Sequence, residues 1–515
     1  MTSFGYFIWG GEGVLKSKTA LERKRVLLYY FSIQHEHNAR AIGGNISYGY
    51  INLMLLRKIY SIFVVHLRYK LTFLNMIESS NLNILIENFR AINKADIKIE
   101  GITVLAGENG SGKSTVSRLV YYLYKTIANY DNIISENFNS ELRNIYTFLH
   151  IIINDLFNKK NDRLIRLELQ SELENITRDF DIQILNIELF NRLLNFITKL
   201  QISLRLENNK LGMGVLHRLN FIVNDLTKVN TGGDKEIDVL LDLVKEKIDN
   251  LFKEASGYKK SRSTKIFRDE LIEVFHDEEL PKKFIVSEFG QEIISLNKNN
   301  LAIPYLIQNV IYIDTPMMLG VDTFDNRHWD DLNEDIKNVQ NSSHKRNNNF
   351  SNIITKEILG GEANYEDNFL SNINYSFRRE DGKIFNLLDC ATGIKSFSII
   401  QLLLKNNAIN DKTLVIIDEP ESHLHPQWII EYARLIVLLN NVLGIKFLIA
   451  SHNPDMVSAL KIISEKEGNI EALNYYLAEK NEKYSYTFTH LDKHIDPIFE
   501  SFNIAFDRMN LYGGE

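Results

Sequence analysis

Cysteine is almost missing from this chain. Cys390 stands alone among 515 residues, so no intrachain disulfide can form, a pattern that suits a reducing cytosol. Proline is scarce too: there are seven, and the first is Pro281. Without proline, nothing from about residue 129 to 280 blocks long helices. Long apolar runs are also lacking. The most apolar early stretch, "IYSIFVV" (Ile59–Val65), lies between Arg57 and Lys58 on one side and His66, Arg68 and Lys70 on the other. It is far short of the ~20 residues that a spanning helix needs. The opening "MTSFGYFIWGG" has no basic start followed by an apolar core, the pattern of a secretory signal. A cytoplasmic protein with no membrane partner is the expectation.

Positive charge is in deficit and unevenly spread. Residues 1–75 hold ten Lys/Arg against three Asp/Glu, and their net +7 leaves −14 for the remainder of a chain whose total is −7. An acidic body argues against passive, whole-surface binding to nucleic acid and leaves room only for a local basic groove. Residues 1–75 also lack sustained periodicity. Met76 then opens a more compact stretch, so the natural protein is expected to begin at or near Met76, with an over-extended reading frame before it. A basic, partner-binding arm is the alternative. At 44% hydrophobic and 24% charged residues, the chain can bury a large core in two or three domains.

What is present is a phosphate-binding pattern. "VLAGENGSGKSTVSRLV" (Val104–Val120) places Gly107, Gly112, Lys113 and Ser114 at the spacing G-x-x-x-x-G-K-[ST]. Such glycines let the backbone turn tightly, so that N–H groups point inward at phosphate oxygens. Glu108, Asn109, Gly110 and Ser111 complete the loop, and Thr115 follows it. Lys113 is placed to reach the β- and γ-phosphates, and the Ser114 hydroxyl to ligate Mg²⁺. "ITVLA" (Ile102–Ala106) reads as a buried strand and "KSTVSRLVYYLYKTI" (Lys113–Ile127) as a helix. Strand, turn and helix N-terminus together form an anion site. ATP with Mg²⁺ is the expected ligand.

Helical spacing continues at Ile237, Leu240, Val244, Ile248 and Leu251. "NTGGD" (Asn230–Asp234) reads as a break between helices. No heptad pattern persists, so packed helices are expected rather than a long coiled coil. From Lys282 the runs "KFIVSEF", "EIISL" and "NVIYIDT" read as strands. "KNVQNSSHKRNNNFSN" (Lys337–Asn352) reads as an exposed loop.

"KTLVIIDEPESHLHPQ" (Lys412–Gln427) supplies the second half of a site. "LVIID" is a buried parallel strand ending in a carboxylate. Asp418 would hold Mg²⁺, directly or through water, and Glu419 would orient and polarise the water that attacks the γ-phosphate. The next apolar strand, "KFLIASHNP" (Lys446–Pro454), ends in Ser451 and His452. Its tip falls at the same sheet edge, so His452 would meet the γ-phosphate or the attacking water. His423 and His425 form an H-x-H pair with no third ligand nearby, and zinc needs three or four. They read as structural or interface residues of the turn.

The set "NFRAI" (Asn88–Ile92), "GENGSGKST", "LLDCATGIKSFSIIQLLL" (Leu387–Leu404), "LVIIDEPESHLHP" and "ASHNP" resembles the ABC-class ATPases with heads like those of SMC and RecF. It looks closest to the soluble prokaryotic branch that includes the overcoming-lysogenization-defect (OLD) proteins and the ATPases of anti-phage defence systems. The resemblance implies an α/β fold: an ABC-type P-loop ATPase head with a mixed sheet, two lobes and an inserted helical domain. It divides the chain into an extension (1–75), the first part of the head (76–128), a helical insertion (129–281), a β-rich second lobe (282–385), the signature, Asp-Glu strand and switch histidine (386–460), and an α/β tail (461–515). In that family "ATGIKS" (Ala391–Ser396) would be the signature segment, contacting the γ-phosphate held by a second subunit through Thr392, Gly393 and Lys395. A helix starting near Lys395 would offer its N–H groups, and the glycine would permit close approach. A simple helix cap would look similar. Ala391 stands where such signatures often carry serine, which leaves Thr392 or backbone N–H groups for that part. By analogy Arg90 reaches the nucleotide; a surface arginine on an early strand is the other reading.

The resemblance implies a nucleotide-gated homodimer or larger assembly, in which ATP joins two heads and hydrolysis releases them. The tail after Pro454 shows no E…D-x-D cluster, so no nuclease activity of its own is expected. An effector protein in trans, a nuclease or a toxin, would then deliver the output in defence. The alternative is a DNA-repair or chromosome-maintenance clamp, with duplex DNA as partner.

Overall fold

The computed structural model describes residues 82–500, apart from 158–162, 179–186, 207–212, 230–232, 278, 321–326, 338–349, 352, 367–373 and 482–483. All of these lie in the compact unit Ser79–Glu515. The expectations for residues 1–75, for Asn230–Gly232 of the helix break and for most of the polar loop at 337–352 fall outside the described residues.

The fold starts with a hairpin. β1 (Leu82–Phe89) and β2 (Ile92–Ile99) pair antiparallel, and Ile84, Ile86, Ala95 and Ile97 face the core at period two. β3 (Ile102–Ala106) is buried along its whole length, as a parallel strand covered on both faces must be. The phosphate-loop helix α1 (Lys113–Ala128) follows. Six helices come next: α2 (Tyr130–Leu156), α3 (Arg163–Thr177), α4 (Ile187–Leu206), α5 (Met213–Thr227), α6 (Ile237–Ser261) and α7 (Thr264–Phe275). They form the proline-free stretch expected to be helical. Leu240, Val244 and Ile248 line the buried face of α6, as their spacing requires.

The strands of the second half rejoin the first. β4 (Lys283–Glu288) and β5 (Gln291–Ser295) extend the sheet beyond β1. β6 (Asn309–Ile313) takes the opposite edge beside β10 (Thr413–Asp418), with β11 (Lys446–Ser451) next to it. β12 (Leu473–Lys480) and β13 (Tyr486–His490) fill the gap between β2 and β3. The mixed sheet therefore has ten strands in the order β5-β4-β1-β2-β13-β12-β3-β11-β10-β6. The stretch expected as a β-rich lobe divides: only β7 (Gly361–Tyr365), β8 (Tyr375–Arg379) and β9 (Ile384–Asn386) form a separate small sheet. The strands expected in a tail lie mid-sheet. Which distant strands pair is set by how the sheet assembles and not by chain order.

Alternation along β3, β10 and β11 feeds two cores. Leu105, Leu414, Ile416 and Leu448 join α1 and the helical insertion on one face. Val104, Val415, Ile417, Phe447 and Ile449 face the other side. There they meet α9 (Thr392–Lys405), α10 (Pro426–Leu443) and α11 (Pro454–Lys466). Each fully buried aliphatic side chain contributes about 1.5–3 kcal/mol, so this three-layer centre is the rigid part that carries the loops. α8 (Arg327–Lys337) packs against β6 and α9. No described helix is long and apolar enough to cross a membrane.

Candidate functional site

Four parallel strands bring their carboxyl ends to one edge. Ala106 is paired with Ser451, Ala450 with Asp418, and Ile417 with Ile313. The phosphate loop, Asp418–Glu419 and Ser451–His452 therefore emerge side by side, where ligands bind in open α/β sheets.

The loop is shaped by glycine. Gly107, Gly110 and Gly112 all have positive φ. A Cβ on Gly112 would lie 2.9 Å from Ile92 Cγ1, and one on Gly107 would lie 2.8 Å from Ala478 Cβ. These two glycines let the loop press against β2 and β12, while Gly110 faces open space. No side chain caps α1 and no acidic residue sits in its first turn, so its end is left open for an anion. Lys113, only 6% exposed, donates from Nζ to the carbonyls of Gly107 (2.8 Å) and Glu108 (2.9 Å). Burial pulls its pKa down, opposed by the negative charges of Glu419, Asp418, Glu421 and Glu108. Glu108, Asn109 and Ser114 are exposed, Thr115 is half-buried, and Ser111 is fully buried with its Oγ unpaired among the described residues.

Asp418 is buried and held on both oxygens. Ser117 Oγ donates to Oδ1 at 2.8 Å and Tyr312 OH to Oδ2 at 2.7 Å. The Ser114 hydroxyl also acts on the same carboxylate. Burial raises the Asp418 pKa, and the three hydroxyl donors oppose the rise. Behind it Tyr312 packs on Tyr121 and His328. His328 Nε2 lies 2.8 Å from Asp314 Oδ2, and Trp329 Nε1 donates to Asp314 Oδ1 at 2.8 Å.

Glu419 adopts a left-handed backbone (φ 48), uncommon outside glycine and found where a turn is held for function. Its N–H donates to Ala450 O at 2.8 Å, which fixes the turn to β11. Ser422 Oγ donates to Glu419 Oε2 at 3.2 Å. His452 Nδ1 stands 3.4 Å from Glu419 Oε1. Thus Lys113, Ser114, Asp418, Glu419 and His452 gather at one place.

The remaining expected residues have the following partners within the chain. The Arg90 guanidinium donates to the Phe275 carbonyl at the end of α7, lies over the Phe275 ring at 4.9 Å and pairs with Asp277. α9, the helix of the expected signature, starts at Thr392 and not near Lys395. Gly393 is buried, and a Cβ there would lie 2.6 Å from Trp428 Cε3, so the close approach it permits within this chain is that of Trp428. Thr392 Oγ1 donates to His423 O at 3.3 Å, and Lys395 is buried. No side-chain bond caps α9. His425 is the N-cap of α10, its Nδ1 accepting from Gln427 N. Ser117, Tyr312 and Glu421 escaped the sequence reading. Ser117 falls one helical turn past Lys113, Tyr312 stands at the end of a strand-like run, and Glu421 ends the run "DEPE".

The donor set fits Mg²⁺. A serine hydroxyl and a carboxylate are hard oxygen ligands, and Mg²⁺ is usually held by one or two carboxylates plus substrate phosphates. No described group of three or more His, Cys, Asp or Glu residues could hold a metal ion unaided. Ser114 and Asp418 would hold the ion together with the nucleotide.

A phosphate loop before a helix, beside a strand-end carboxylate pair, defines a P-loop ATPase. The chain belongs to the AAA ATPase domain family, AAA_15, whose model matches residues 82–457. Among solved structures it is similar to an SMC head domain from Thermotoga maritima, at 11% identity and a TM-score of 0.32, covering 80% of this chain and 98% of that one. It is also similar to an Smc head domain with an extended coiled coil, bound to the C-terminal domain of ScpA, derived from Pyrococcus furiosus. That match has 12% identity, a TM-score of 0.30 and coverage of 82% and 98%. No curated protein matches the chain.

Proposed function

We propose that the chain is an ABC-type ATPase head that works as a nucleotide-gated dimer or larger assembly. It senses foreign or damaged DNA, or a phage protein, and controls an effector protein in trans in anti-phage defence. The observation that carries the ATPase reading is the shared edge of β3, β10 and β11, which sets Lys113, Ser114, Asp418, Glu419 and His452 around the open end of α1. The switch reading is supported by the tie between Thr392 and His423: a chain engaging the start of α9 acts four residues from Glu419. The defence role rests on the family resemblance.

In this reading Lys113 leaves the Gly107 and Glu108 carbonyls for the β- and γ-phosphates. Ser114 and Asp418 hold Mg²⁺, which when bound would neutralise phosphate charge. Glu419 orients the attacking water, and His452 stands beside it. Glu419→Gln keeps the shape and removes the base. It is expected to bind ATP, lower turnover by about 100-fold or more and accumulate the closed dimer in size-exclusion chromatography. The test is steady-state ATP hydrolysis with and without duplex DNA, using Lys113→Ala as the blank. Turnover unchanged by DNA points to a protein trigger. Strong stimulation makes DNA the input and, if DNA is also retained across the closed heads, favours a clamp. Normal turnover in Glu419→Gln would sink the assignment of the water-positioning carboxylate.

A further inference from the structure

Glu421 is a second carboxylate at the site and an expensive one to bury. Its side chain is 4% exposed. Oε1 accepts from Ser451 Oγ at 2.8 Å and from the His452 backbone N–H at 3.1 Å. It also lies 3.6 Å from His452 Nδ1. Oε2 is buried with no partner among the described residues. Burial raises the Glu421 pKa, against the donors from Ser451 and His452. A buried carboxylate with one oxygen unpaired costs stability.

A glutamine would serve the two donors equally well, since its carbonyl oxygen accepts from the same hydroxyl and the same N–H. What glutamine lacks is the charge that faces His452. The His452 Nδ1 atom is buried, while its side chain as a whole is 42% exposed. The exposed edge is therefore the one that carries Nε2. Two carboxylate oxygens, from Glu419 and Glu421, lie 3.4 and 3.6 Å from Nδ1. Nδ1 makes no hydrogen bond to either of them, but a lone pair there would lie beside two negative charges, which favours the proton on Nδ1 and leaves Nε2 on the outer edge. Lys113 of α1 lies within the field of Glu419 and Glu421, together with Asp418 of β10 and Glu108 of the loop.

We infer that Glu421 is a positioning residue of the ATPase site: its charge, with that of Glu419, pins the Nδ1–H edge of His452 so that Nε2 faces the nucleotide. The inference rests on the ATPase reading and on His452 acting there.

The test compares steady-state ATP hydrolysis by the full chain, its Glu421→Gln and His452→Ala variants, and the double variant. Glu421→Gln is expected to lower kcat by about tenfold with KM for ATP within about twofold. The double variant should be no slower than His452→Ala alone. Wild-type kcat in Glu421→Gln or in His452→Ala, or losses that multiply in the double variant, would overturn the inference. Should Glu421→Gln fail to fold, nitrogen NMR of ¹⁵N-histidine-labelled wild-type protein decides, with the His452 signals assigned by their loss in His452→Ala. A proton on Nδ1 supports the inference; a neutral ring with its proton on Nε2 overturns it. A wild-type chain that does not hydrolyse ATP would sink the ATPase reading instead, and the NMR result would still judge Glu421.

Discussion

α1 and α9 both begin beside a glycine and a buried lysine, yet the two starts are built differently. Gly112 has φ +95 and presses against Ile92, so it serves both backbone shape and close packing. Gly393 is not in the left-handed region; it makes room for the Trp428 ring. Lys113 folds back onto two loop carbonyls and sits among four carboxylates. Lys395 is buried within a helix whose start is fastened by Thr392 to His423. The first start is open to an anion within its own chain. The second is packed against its own α10 and the turn before it. A motif glycine thus reports either a backbone conformation or a neighbour, and sequence spacing does not say which.

The largest expected effect separates the two lysines. Lys113→Ala should lower turnover by about 100-fold or more, because Lys113 is the cation that the loop itself sets beside the open end of α1. Lys395→Ala should leave nucleotide binding by the single chain intact. Fluorescent-nucleotide titration beside an ATPase assay reads both; equal loss of nucleotide binding in the two variants would break the comparison.

The glycines come next. Gly112→Ala must place a methyl group at φ +95 and 2.9 Å from Ile92 Cγ1. It should cost about 1–3 kcal/mol and weaken nucleotide binding by about tenfold as the cradle opens. Gly393→Ala should cost a similar about 1–3 kcal/mol by overpacking Trp428, with nucleotide affinity unchanged. Adding Trp428→Leu should return part of that stability in thermal melts. If Gly393→Ala instead weakens binding without destabilising the fold, the packing account fails.

The smallest effect lies in α8, which links the two helices. Asp331 accepts from Tyr121 and pairs with Lys125 of α1, while α8 also packs on α9. Nearby, burial raises the Asp335 carboxyl to about 6, with Lys125 opposing and Asp331 and Glu334 adding to the rise. An unfolded aspartate titrates near about 3.9. Between those values the folded protein keeps a proton that the unfolded chain has lost, so stability falls as pH rises from about 4 to 6 and stays lower above. Asp335→Asn should then gain about 1 kcal/mol at pH 7.5, discounted for partial exposure, and nothing near pH 4. Urea melts at the two pH values check this; an equal effect at both would refute it.

The chemistry that was legible in the sequence is local. Gly107 to Ser114 declare a phosphate loop because one short segment contains all its donors. Asp418, Glu419 and His452 stand out because each ends an apolar run. Less local features stayed hidden. Tyr312 and Ser117 meet on Asp418 only because β6, α1 and β10 are adjacent. Glu421 looks like any polar turn residue until β11 brings Ser451 and His452 to it. Arg90 read as a candidate nucleotide contact, and its partners at Phe275 and Asp277 lie 185 and 187 positions further along the chain.

The sequence alone determined that the chain carries a phosphate loop and a strand-end carboxylate pair, and that a proline-free middle is helical, because spacing and periodicity act over a few residues. The tertiary structure decided that β12 and β13 run through the centre of the sheet and that Gly393 serves Trp428. It also placed a second carboxylate beside His452. Each of those outcomes depends on which distant strands and helices come to lie side by side, and that is fixed by burying one sheet between two cores.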